Sequence, residues 1–139
     1  MTSEDKIKEI CREDADAVEF CLAVLRLFHW IDDIWDGEQS YTVAESVTLN
    51  LAAMSVFSHN PFFARNAPAL LALITQAALA WLDSEDMAQS SDLGERRASQ
   101  VLKSDYHKIF WHVAFLCGGF DHAGAMSARH REFDYDLPL

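Results

Sequence analysis

From Ile7 to Phe28 the apolar residues Ile7, Ile10, Cys11, Ala15, Val18, Cys21, Leu22, Leu25 and Phe28 recur every three or four positions in one unbroken phase. Side chains at that spacing line one face of an α-helix but would scatter over both faces of a strand. The segment from about Ser3 to Asp36 is therefore helical. It reads as one long rod or as two pieces parted near Glu13–Asp16, where Asp14 suits the N-cap of the second piece. Gly37 stands where a left-handed residue ends a helix.

The same punctuation marks the rest of the chain. Thr42-Val43-Ala44-Glu45 has the capping-box spacing and opens a helix running to about Ser58. Asn60-Pro61 ends it, because the residue before proline avoids helical angles. Phe62 and Phe63 then fall in a short connector, their rings plugging the gap between helix ends. Asn66 and Pro68 suit the start of a third helix, Ala69 to about Asp83. The polar stretch from Asp83 to Asp92 reads as a loop or a frayed extension, with Ser90, Ser91 and Asp92 as cap candidates. A helical pattern resumes at Leu93, is interrupted at Gly118-Gly119 and continues to about Arg131. The tail, about 132–139, reads as irregular. With no repeat or linker, the expectation is a single all-α domain over residues 1–139, an up-and-down bundle of four main helices plus short pieces.

Half of the 139 residues are hydrophobic, enough for a core without disulfides or structural metal. A net charge of -11 argues against a nucleic-acid backbone or an anionic membrane as partner. Cys11, Cys21 and Cys117 lie in or beside apolar helical runs with no CxxC pair, and read as reduced core residues of a cytoplasmic protein. No apolar signal core follows the charged N-terminus. The greasiest run, Pro68–Leu82, is about 15 residues and too short to span a bilayer. Four Trp and nine Phe are read as core and interface, which favours self-association through an aromatic helical surface.

Charge then enters the helical stripe. His29, Asp32, Asp33 and Asp36 fall within an arc of about 100° on the face that upstream carries Val18, Leu22 and Leu25. Carboxylates at a helix C-terminus also oppose the helix dipole. Convergent carboxylates need a cation, an Arg or Lys, or protonation; the alternative is a solvated acidic face. One reading is a Mg-type site with Asp32, Asp33 and Asp36 as ligands and His29 in support.

Asp32-Asp33-Ile34-Trp35-Asp36 also spells DDxxD. In this it resembles the first aspartate-rich motif of isoprenoid diphosphate and terpene synthases, all-helical enzymes whose aspartates bridge Mg²⁺ to a substrate diphosphate. The resemblance implies Asp32 and Asp36 as bridging ligands and Asp33 as an auxiliary. It covers these five residues. The wider patterns HWIDDIWDG, NPFF and GGFDHAG look like those of small bacterial or prophage helical proteins.

A second polar seam, Asp105, Lys108 and His112, stacks within about 60° on the last long helix. It offers Lys108 as counter-charge to the aspartates or to a diphosphate, and His112 as ligand or proton carrier. Its plainer reading is that Lys108 neutralises Asp105 and His112 is a core-edge residue. No GxSxG elbow and no phosphate-cradling glycine loop occurs. Two functions follow as expectations. One is a divalent-cation site serving a small phosphorylated ligand; the other is a non-catalytic helical module that self-associates or binds a partner.

Overall fold

The computed structural model describes residues 1–37 and 41–131, the side chains of Trp35 and Asp36 excepted. The expected irregular tail, 132–139, lies outside the described residues. The protein is all-α, and no strand occurs among the described residues. The helices are α1 (Ser3–Ile10), α2 (Ala15–Asp36), α3 (Val43–His59), α4 (Pro61–Ala88), α5 (Leu93–Lys103) and α6 (His107–Arg129), with a 3₁₀ turn at Ser104–Tyr106. Two compact units divide the chain, residues 1–67 and 68–139.

In the first unit the leading helix comes as two pieces. Asp14 caps α2 by accepting from the backbone N–H groups of Asp16 and Ala17, each at 3.1 Å. Arg12 and Glu13 before it adopt positive φ, 52° and 63°, and turn the chain between α1 and α2. Cys11 and Cys21 come together across this turn, both fully buried, Sγ to Sγ 3.8 Å. Gly37 ends α2 at φ 67°, in the left-handed region expected for it. Thr42 and Glu45 close both bonds of the capping box that starts α3.

The third helix starts seven residues earlier than Pro68. Pro61 is its first residue, and Phe62 and Phe63 lie in its first turn, both buried, instead of in a connector. The reason is local. Asn60 stops α3 with extended angles and caps α4, its Oδ1 accepting from the Phe63 N–H at 2.9 Å, while Pro61 has no N–H to leave unpaired. Pro68 is carried inside the helix, and Asn66 donates to the Phe62 carbonyl at 2.9 Å instead of capping. Asn60 also donates through Nδ2 to the Asp16 carbonyl at 2.9 Å and to Glu19 Oε1 at 3.2 Å, so one buried amide joins α2, α3 and α4. Phe20 of α2 meets Phe57 of α3 and Phe62 and Phe63 of α4, with ring centroids 5.6–6.2 Å apart.

In the second unit the polar stretch after Asp83 is helix as far as Ala88, and Asp92 caps α5 by accepting from Glu95. Lys103 of α5 pairs with Glu85 of α4 at 2.9 Å. The helix expected from Leu93 onward is split by the 3₁₀ turn, and Gly119, at φ 85° and ψ -178°, breaks the helical path of α6. His107 and His130 are both buried. His107 lies against the rings of Tyr106 and Phe110, and His130 follows the last turn of α6 as its C-cap.

Asn60 gives a test of this account. Asn60→Ala should lower unfolding stability by about 1–3 kcal/mol in a denaturant titration, the usual cost of orphaning buried hydrogen-bond partners. Asn60→Asp keeps the cap for α4 but cannot donate to Asp16 and Glu19, and should fall at or below Asn60→Ala. An Asn60→Asp protein as stable as wild type would show that only the cap matters.

Candidate functional site

The acidic cluster ends α2, and each of its members has a distinct environment. His29 is exposed, while Asp32 and Asp33 are half-buried. Asp36 belongs to the helix, but its side chain lies outside the described residues. Asp33 Oδ2 accepts a hydrogen bond from the Tyr41 hydroxyl at 2.9 Å. That bond and the neighbouring negative charge hold the Tyr41 hydroxyl in its neutral form, raising its pKa above the ordinary tyrosine value. Trp30 Nε1 points to Ser46 Oγ at 3.4 Å, a second link from this end of α2 to the start of α3.

Tyr41 is the functional-looking partner that the sequence pattern misses. Its only signal is its position directly before the Thr42 cap, where a ring can fold back onto the preceding helix. With it, Asp33 forms a latch from α2 to Tyr41, two residues before α3. Among the described residues no three His, Cys, Asp or Glu side chains gather in a way that would hold a metal ion.

The second seam lies at the start of α6 and in the turn before it. Lys108 forms an ion pair with Asp105 one turn earlier; its own side chain is 70% exposed and that of Asp105 19%. His112 is half-buried, its ring 5.9 Å from that of Phe115.

Two concavities were not legible in the sequence. A groove of about 260 Å³ runs between α2 and α3, lined by apolar residues such as Leu22, Leu27, Leu49 and Val56, with Glu19 and Arg26 also on its wall. A second, of about 330 Å³, is shaped by the end of α4 and by α5, with Arg96, Arg97 and Lys103 on its wall. Arg96 already donates to the Ser90 carbonyl at 2.9 Å, and Lys103 pairs with Glu85.

Large apolar side chains lie open on several helices. On α3, Val43, Val47, Leu51 and Met54 are 81, 50, 59 and 62% exposed. On α4, Leu71, Leu79 and Leu82 are exposed by half or more, and on α6 Phe120 is 82% exposed. Helix α4 is 28 residues, well beyond the Pro68–Leu82 run. By length and composition it is able to cross a membrane, a test that the core helices of soluble proteins also pass. No family model, curated protein or solved structure matches the chain.

The latch predicts an alkaline titration. Tyr41 is neutral in the folded protein to a higher pH than in the unfolded chain, so its contribution is complete below the ordinary tyrosine pKa and is lost as pH rises through the folded value. Followed by phenolate absorbance, one tyrosine of the wild type should titrate late, and Asp33→Ala should bring it back to the ordinary range. Identical curves for the two proteins would break the assignment.

Proposed function

We propose that the protein is a non-catalytic helical interaction module that works through uncharged helix faces, in a reducing compartment such as the cytoplasm. The observation that carries this reading is the open apolar surface of α3, with four large side chains at least half exposed in 12 residues of helix. Single surface leucines are ordinary, but the largest contiguous apolar patch on a small protein, about 300–600 Å² on a typical monomer, is often functional. The exposed leucines of α4 add a second such face. The three cysteines, with no CxxC pair among them, fit a reducing compartment.

Two of the groups that a Mg-type phosphate site would recruit have other partners. Asp33 accepts from Tyr41, and Lys108 is paired with Asp105. On this reading the aspartates fasten the end of α2 and keep the chain soluble, and the chemistry of a diphosphate enzyme does not enter.

Thermal unfolding in the presence of Mg²⁺, Mn²⁺ or Ca²⁺ separates the readings. A ligand held at 100 times its Kd stabilises the native state by about 2.7 kcal/mol. For a module without a cation site, wild type and Asp32→Asn/Asp36→Asn should respond equally to each metal. A saturable rise in Tm confined to wild type would restore the divalent-cation site.

A further inference from the structure

The open face of α3 has a period. Ala44, Val47, Leu51, Met54 and Ser58 follow one another at intervals of three, four, three and four, which is the spacing of the inner seam of a coiled coil. These residues and Val43 share an arc of about 100°. All six are exposed, while Ala53, Phe57 and Val56 on the other side of the helix are buried or half-buried. Helix α3 thus carries one face for its own unit and a second face, in heptad register, that its own unit leaves open.

We infer that this second face pairs with α3 of another copy of the chain, forming a two-fold helix–helix dimer; the inference rests on the interaction-module reading. Charge selects the occupant. A two-fold interface sets a surface against itself, so any net charge on it is doubled. This chain carries a net charge of -11, yet from Ser46 to Ser58 it has no Asp, Glu, Lys or Arg. Here two copies meet without bringing carboxylates together. The flanking Thr48, Asn50 and Ser55 are neutral as well, so the seam lacks the flanking charges with which coiled coils select a different partner.

Size sets the strength. The four large side chains offer about 300 Å² of apolar surface at ordinary side-chain burial values, against about 800 Å² on each partner of a standard interface. The dimer is therefore weak and dissociates on dilution.

Sedimentation equilibrium of the full chain over a wide concentration range is the test. The weight-average mass of wild type should climb from the monomer value towards twice that value. Leu51→Glu/Met54→Glu should stay at monomer mass, with its helical circular dichroism intact because both sites are exposed. Leu51→Cys should form a crosslinked dimer under mild oxidation well above the level given by wild type with its three native cysteines. A wild type that stays monomeric at its highest soluble concentration overturns the inference and makes another protein the occupant of the seam. If wild type dimerises and Leu79→Glu/Leu82→Glu abolishes the dimer while Leu51→Glu/Met54→Glu does not, the seam assignment falls and self-association stands. Failure of the interaction-module reading itself registers separately, as metal-specific stabilisation.

Discussion

The first unit depends on the burial of Phe20. Its ring, fully buried on α2, touches Phe57 on α3 and Phe62 and Phe63 at the start of α4, and Phe57 and Phe63 also meet at 5.2 Å. Each aromatic pair contributes about 0.5–1.5 kcal/mol beyond the area it buries. Emptying such a site costs about 3–5 kcal/mol, a large share of a typical domain stability of about 5–15 kcal/mol. Asn60 directs the cluster, because its cap places Phe62 and Phe63 in the first turn of α4 and its amide ties that turn to Asp16 and Glu19.

That clamp explains how α3 affords an open face. With Phe57 in the cluster at one end and the Trp30–Ser46 and Tyr41–Asp33 contacts near the other, α3 is fixed to α2 through a narrow inward strip. Its other side is exposed. A helix held by one strip and apolar on a second is suited to present the second to a partner. The aspartates at the end of α2 belong to the same economy. At a helix C-terminus they oppose the dipole, and the Tyr41 hydroxyl offsets part of that cost at Asp33.

Much of the helical framework was legible because it is written in local chemistry. The Asp14 cap, the Gly37 stop and the Thr42–Glu45 box each act within four residues, and all appear as read. Asn60-Pro61 was legible only by half. The same dipeptide stops one helix and starts the next, and only the contacts of Phe62 and Phe63 with Phe20, more than forty residues away, decide between a connector and a first turn. The burial of His107 and His130 was hidden for the same reason, since it depends on neighbours that no local period reveals. At the acidic cluster the pattern correctly placed Asp32 and Asp33 on one helix, but it could not supply Tyr41. The structure adds to that cluster a tyrosine hydroxyl on one of its carboxylates. The seam on α3 lay in the open in the sequence, yet its spacing acquired meaning only once the helix was seen to bury its other side.

Hydrogen–deuterium exchange of the full chain at a dilute and at a concentrated condition tests the central claim, that α3 is clamped on one face and presents the other. The account predicts that amides around Phe20 and Phe62–Phe63 are protected equally at both concentrations, while residues 43–59 gain protection at the higher one. Protection of 43–59 that is independent of concentration, or a gain confined to residues 107–129, would contradict it.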